Sequence, residues 1–167
     1  AFPCGTPIQF TALASVPGRT TTNSFAQSTG AAPPPTAADV NVSQFIPDLG
    51  TIYSTNVVAG FSGTVAKVTV SLYLTHAYDG NLVIDLLGPD GTTNNLVNRR
   101  GSSGDHFGTN CSPATSRTTF DDAASTSIVS GAAPFVGTFR PEVSFSVYNG
   151  KSGAAVNGPW RLRVRDA

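Results

Sequence analysis

The stretch HAYDGNLVIDLLGPDGT, residues 76–92, is the part of the chain that decides the fold. Its centre alternates in an extended chain, with Leu82, Ile84 and Leu86 on one face and Val83, Asp85 and Leu87 on the other. A period of two is typical of a β-strand. The flanking segments AYDGN and GPDGT contain the Gly, Pro, Asp and Asn residues that favour turns. The stretch therefore predicts a strand between two turns.

Two further segments show the same alternation. In VAKVTVSLYLTH, residues 65–76, one face is formed by Val68, Val70, Leu72, Leu74 and His76. In PWRLRVRD, residues 159–166, one face is formed by Trp160, Leu162 and Val164 and the other by Arg161, Arg163 and Arg165. Both patterns predict strands with one buried face.

Shorter apolar pieces complete the predicted β-structure. NNLVNR, residues 94–99, is expected to be a strand, and GTFRPEVSFSVYNG, residues 137–150, is expected to place Val143, Phe145 and Val147 on one strand face. No segment shows the 3.6-residue period of a helix. Strands at intervals of about 8–15 residues without helices predict an all-β, jelly-roll-like β-sandwich.

The chain divides into two predicted parts. Residues 1–43, rich in Thr, Ala, Ser and Pro, are expected to form an extended N-terminal arm. Residues 44–167 are expected to form the sandwich, in which residues 101–127 contain few apolar side chains and predict a long loop. A disulfide between Cys4 and Cys111 would tie the arm to this loop, and two unpaired cysteines are the alternative.

Composition and charge exclude several function classes. The formal net charge is zero, and Arg161, Arg163 and Arg165 are the nearest approach to a basic cluster, so nucleic-acid binding by charge is not expected. No stretch approaches the roughly 20 apolar residues of a membrane helix. The chain begins at Ala1 rather than Met and has few charged residues, which is expected of a mature, processed or excised segment of a secreted protein.

No pattern predicts catalysis. A G-x-S-x-G elbow is missing, because GSSG and GKSG have a different spacing. His76 lies on the apolar face of its strand and is expected to be a structural histidine that bonds the backbone and orders the following turn. His106 is expected in a solvated loop, and Asp79, Asp85 and Asp90 are expected in turns or on a strand. No catalytic or cofactor-binding residue is predicted.

From about Phe45 onward the chain resembles the P domain, or P/Homo B domain, that follows the catalytic domain of proprotein convertases and of many bacterial secreted proteases. The matching pieces, in family order, are FIPDLG, VAKVTVSLYLTHAYDGNLVIDLLGPDGT, TTFDDAA, GTFRPEVSFSVYNGKS and NGPWRLRVRD. The resemblance implies a jelly roll of about eight strands. It also implies a non-catalytic extracellular module that stabilises a neighbouring protease domain, assists its folding, or binds a substrate or extracellular protein.

The chain departs from the family pattern at two places. Asn81 stands where the family usually has Asp, which removes a charge from that position. The family pattern also continues into a further strand, which predicts that the sandwich lacks its last strand. The alternative function follows from this gap: a structural subunit of an extracellular homo-oligomer, in which the N-terminal arm of one molecule is donated as a strand to another. A carbohydrate-binding module is a third option supported by the fold alone.

Calcium is the one cofactor expected. Asp121 and Asp122 are adjacent in TTFDDAA, and Asp105 is expected to join them across the long loop, with Glu142 a further acid nearby. Calcium prefers oxygen ligands from carboxylates and carbonyls, and relatives of this kind often contain it. An Asp pair that caps turns is the alternative. The partner surface is expected to include Tyr73, Tyr78, Arg99 and Arg100.

Overall fold

A computed structural model describes residues 44–167, and the predicted arm over residues 1–43 lies outside the described residues. Seven strands form in this region: β1 (Thr51–Val58), β2 (Thr69–Leu72), β3 (Leu82–Leu87), β4 (Thr93–Asn98), β5 (Thr118–Asp121), β6 (Gly137–Phe139) and β7 (Gly158–Asp166). The only helical segments among residues 44–167 are short 3-10 turns: Asp79–Asn81, Ala114–Ser116, Ile128–Ser130, Phe145–Tyr148 and Gly153–Ala155. No helix in this part of the chain is long and apolar enough to cross a membrane.

The strands form two sheets. The first, sheet A, has the order β1-β7-β3-β4 and is antiparallel throughout. The second, sheet B, has the order β2-β5-β6, with β2 antiparallel and β6 parallel to β5. Two sheets without α-helices in the described region confirm the prediction of an all-β sandwich.

The core consists of the inward faces of both sheets, as alternation requires. On β7, Trp160, Leu162 and Val164 are buried, and on β3 Leu82, Ile84 and Leu86 are fully buried. Aromatic side chains fill the space around them: the rings of Phe107 and Phe135 stack at 4.8 Å, and those of Tyr148 and Trp160 meet edge to face at 5.0 Å. The buried hydroxyl of Tyr148 donates to the Leu86 carbonyl at 2.7 Å, so it is satisfied inside the core.

Strand predictions succeed where alternation is long. The two faces predicted for β3 and β7 are the observed ones, and the buried side of residues 68–74 is also as predicted. The prediction for residues 143–147 is wrong, because Phe145–Tyr148 is a 3-10 turn in which Phe145 is buried while Val143 and Val147 are about half exposed. The Ser144 side chain accepts from the Ser146 N–H, and Asp122 accepts from the Phe145 N–H, so polar contacts cap a turn where the alternation indicates a strand.

Two strands lie in segments for which no strand was predicted. β1 lies in residues 51–58, where only turns between apolar pieces were expected, and it pairs with β7 along its whole length. β5 lies within residues 101–127, which were expected to be a loop. Its sequence TTFD contains a single large apolar residue, Phe120, which is fully buried. Thr118 is fully buried as well, but a single apolar residue gives no detectable hydrophobic period, so this strand depends on its partners β2 and β6.

The last strand of the described chain is central rather than marginal. β7 pairs with β1 on one side and with β3 on the other. Both hydrogen-bonding edges of β7 are therefore satisfied within residues 44–167. Donation of a strand by the N-terminal arm involves residues outside the described region and stays a prediction.

The central place of β5 in sheet B predicts a large effect of Phe120→Ala. Removing a fully buried phenyl ring should lower the free energy of unfolding by about 3–5 kcal/mol. Thr138→Ala, at an exposed position of β6, is the control and should change it by less than about 0.5 kcal/mol. Urea unfolding followed by tryptophan fluorescence measures both. Equal, small effects would mean that residues 118–121 are a surface loop.

Candidate functional site

An open pocket lies where four parts of the chain meet: the segment before β1, the segment after β2, the segment after β4 and the end of β7. It is lined by Phe45, Ile46, Asp48, Thr75, His76, Ala77, Tyr78, Asn81, Asp105, His106 and Asp166. Both histidines of the chain are present, together with three carboxylates and two exposed aromatic rings. Sequence reasoning treated these residues separately, and the fold brings them together.

Backbone hydrogen bonds hold the segment after β2 against the segment after β4. Leu74 and Phe107 form an antiparallel bridge in which each N–H donates to the carbonyl of the other, at 3.0 and 2.9 Å. Further along, the N–H of Asp79 donates to the Gly104 carbonyl and that of Gly80 to the Ser102 carbonyl, both at 2.9 Å. These two segments form the floor of the pocket, and main-chain hydrogen bonds hold the floor in place in addition to side-chain contacts.

His76 connects this floor to the end of β7. Its Nε2 lies 3.3 Å from Oδ2 of Asp166, and its Nδ1 lies 2.9 Å from the carbonyl oxygen of Tyr78. The side chain of His76 is 16% exposed and that of Asp166 is 6% exposed, so the contact is largely shielded from water. The N–H of Asp166 donates to the Gly50 carbonyl at 2.9 Å, which fixes the backbone of Asp166.

His106 occupies the opposite side of the pocket floor. Its Nδ1 lies 3.0 Å from the His76 carbonyl oxygen, and its backbone N–H donates to Oδ1 of Asp79 at 3.0 Å. His106 has a positive φ of 75°, a conformation that few side chains adopt without support. The two hydrogen bonds supply that support, and the side chain is half-buried rather than solvated as expected.

Asp79 is the most unusual charged group near the site. It is fully buried, and its Oδ2 has no hydrogen-bond partner among the described residues. Burial raises the pKa of Asp79 to about 7, the His106 N–H opposes the rise, and the nearby Asp105 adds to it. Gly101 covers the carboxylate at φ 96°, and a Cβ there would lie 2.8 Å from the Asp79 Cβ. The glycine therefore allows the loop to close over the acid.

The arrangement pairs a histidine with a carboxylate that can orient it. His76 and Asp166 have the relation of the last two members of a catalytic triad. Among the described lining residues there is neither a serine nor a cysteine. Both ring nitrogens of His76 already contact the chain. The contacts are suited to holding the segments after β2 and β4 against β7.

The three predicted calcium ligands do not form one cluster. Oδ2 of Asp121 accepts from Lys67 Nζ at 2.6 Å, and Asp122 accepts from the Ser144 hydroxyl at 2.8 Å. Asp105 instead lines the pocket. Among residues 44–167, no three His, Cys, Asp or Glu side chains form a group that could hold a metal ion. The three acids therefore do not lie together in the described structure, and the calcium site at Asp105, Asp121 and Asp122 stays a prediction.

The remaining singled-out residues have structural partners. Asp90 accepts from the Thr92 N–H at 3.0 Å within the Pro-Asp-Gly turn, and its other oxygen bonds Lys151, whose hydrogen bond lowers the pKa of Asp90. Cys111 is buried, but Cys4 lies outside the described residues, so their pairing stays a prediction. Asp166 was missed by sequence reasoning, because it lies ninety positions from His76 and no local pattern joins the two.

Comparison with known proteins identifies the family. The model of the proprotein convertase P-domain family matches residues 65–167, and the chain belongs to this family. A curated relative, leupeptin-inactivating enzyme 1 of Streptomyces exfoliatus, is 42% identical over 73 residues, which is 42% of this chain. The aligned part spans only 16% of that enzyme. No solved structure matches the chain significantly.

The raised pKa of Asp79 predicts a stability that falls with rising pH. Between the ordinary value of 3.8 and about 7, the folded state holds a proton that the unfolded state releases. The free energy of unfolding should therefore decrease from pH 5 to pH 8, by about 2 kcal/mol from this group. Asp79→Asn should remove that part of the pH dependence.

The measurement is urea unfolding of wild type and variants across this pH range. Asp48→Asn changes an exposed acid of the same pocket and is the matched control, which should leave the wild-type slope intact. A wild-type slope that persists in Asp79→Asn would show that the carboxyl of Asp79 is ionised throughout.

Proposed function

We propose that this chain is a non-catalytic, extracellular module accessory to a protease domain. The observation that carries the proposal is the family match over residues 65–167. The relative from Streptomyces exfoliatus is named as an enzyme, leupeptin-inactivating enzyme 1, which supports an enzyme context, and the chain would correspond to a small part of such a protein.

The geometry of the pocket supports a structural role for its histidines. His76 joins the segment after β2 to Asp166 at the end of β7, and His106 joins the segment after β4 to the same floor. A histidine that acts as a general base needs a nucleophile within hydrogen-bond reach. Both ring nitrogens of His76 are engaged by Asp166 and by the Tyr78 carbonyl, so we assign the histidines to ordering the surface.

An accessory module needs an exposed contact surface, and the pocket rim provides one. Tyr78 is 56% exposed and Phe45 is 74% exposed, and both line the pocket. Of the arginines expected at a partner surface, Arg99 is exposed, whereas Arg100 donates two hydrogen bonds to Glu142 and is already engaged. Tyr78 is therefore the better anchor, because exposed aromatic residues dominate many interfaces.

The proposal predicts that the purified 167-residue chain does not hydrolyse peptides. We expect no release of fluorescence from labelled casein above the buffer rate, and no difference between wild type and His76→Ala. Hydrolysis that disappears in His76→Ala would contradict a non-catalytic role.

The accessory role has to be tested in the full-length polypeptide that the source gene encodes. We expect that deletion of residues 44–167 from it lowers the midpoint of thermal inactivation of protease activity, or abolishes secretion. Tyr78→Ala should weaken the same activity without changing the melting midpoint of the isolated chain. An unaltered protease after the deletion would exclude a stabilising or folding role.

A further inference from the structure

The outer face of sheet A bears a row of three arginines. Arg161, Arg163 and Arg165 alternate on β7 with the core residues, so all three point away from the sandwich. β7 lies inside the sheet, with β1 and β3 on its two sides. The row therefore runs along a central strand of the sheet and not along an edge strand.

Only the central arginine is neutralised. Nε and Nη2 of Arg163 both donate to Oδ2 of Asp85, at 3.1 and 2.9 Å. Asp85 is 5% exposed and also accepts from Asn95 at 2.9 Å, so both of its carboxylate oxygens have hydrogen-bond partners.

The outer two arginines have no such partner. Arg161 and Arg165 are exposed, and neither forms an ion pair within residues 44–167. The register places neutral residues beside them on both sides: Thr55 and Leu87 flank Arg161, and Thr51 and Val83 flank Arg165. The charges of Arg161 and Arg165 are therefore not balanced by a neighbouring acid, and the one acid paired on this face of the described chain, Asp85, is buried beside Arg163.

We propose that this face, defined by Arg161, Arg163 and Arg165 and called the arginine face, binds an extended acidic polypeptide segment. Charge complementarity identifies the partner as anionic. Arginine presents a planar fork that binds carboxylates with two hydrogen bonds, which favours it over lysine for this purpose. The proposal goes beyond the accessory role, because it does not require that the acidic segment belong to a protease.

Spacing favours a polypeptide in the extended conformation. Side chains on one face of a strand repeat every two residues, about 6.8 Å, so Arg161 and Arg165 are separated by about 14 Å along β7. Carboxylates at positions i and i+4 of an extended peptide have the same separation. Because Asp85 already neutralises Arg163, the segment needs no acid at position i+2.

The test uses the full 167-residue chain and two dye-labelled peptides of identical composition. Both are Thr- and Val-rich with two glutamates, placed at i and i+4 in one and at i and i+3 in the other. In an extended peptide the second spacing puts the carboxylates on opposite faces. Fluorescence anisotropy gives Kd for each peptide at about 0.05 M and about 0.5 M salt, where screening differs strongly.

We expect the i,i+4 peptide to bind more tightly than the i,i+3 peptide, and its affinity to fall at the higher salt concentration. Arg161→Glu and Arg165→Glu should each weaken its binding by about three- to tenfold. The control is the double variant Thr126→Glu/Thr138→Glu, which alters exposed positions near sheet B. It changes the net charge by the same amount as one arginine reversal and should leave Kd within about twofold.

Three results would overturn the proposal. The first is equal affinity for the two peptides, and the second is an equal loss of affinity in the control and the arginine variants. The third is binding of heparin through the arginine face without binding of either peptide, which would identify a polysaccharide site. Arg161→Gln and Arg165→Gln keep the test valid if a glutamate variant does not fold, because they remove charge without reversing it.

Discussion

The placement of β7 between β1 and β3 is the constraint on which the rest of the structure depends. Its inward residues Trp160, Leu162 and Val164 are buried in the core, and its backbone pairs two strands that are far apart in sequence. Because side chains alternate, the same strand must present its other residues outward. The core and the arginine face are therefore two consequences of one strand in one register.

The end of β7 also determines the candidate site. Asp166 is the last residue of the strand and is held there by pairing with Leu82 and by the Gly50 carbonyl. Nε2 of His76 contacts its carboxylate, Nδ1 of His106 contacts the His76 carbonyl, and the His106 N–H donates to Asp79. A buried acid with an unpartnered oxygen costs free energy. Main-chain hydrogen bonds between the segments after β2 and after β4 hold the site in place around this acid.

Sequence reasoning succeeded where one physical signal dominated. Alternation over six or more residues predicted the faces of β3 and β7 because burial of apolar side chains is the main driving force for such strands. It failed for β5, where Phe120 is the only large apolar side chain, and for Phe145–Tyr148, where a 3-10 turn forms instead of a strand. The contacts of the acidic residues were likewise not predictable from local sequence. Asp121 is bonded to Lys67, which is 54 positions away, and no local motif indicates that contact.

By itself the sequence determined the all-β class, the two faces of the long strands and the family pattern, because these depend on local periodicity and turn residues. Only the tertiary structure decided which distant groups meet. It brought His76 to Asp166, enclosed Asp79 beneath Gly101 and neutralised Arg163 with Asp85 while leaving Arg161 and Arg165 without an ion pair in the described chain. These pairings depend on strand order and register, which arise from packing across the whole sandwich and have no signature in any short stretch.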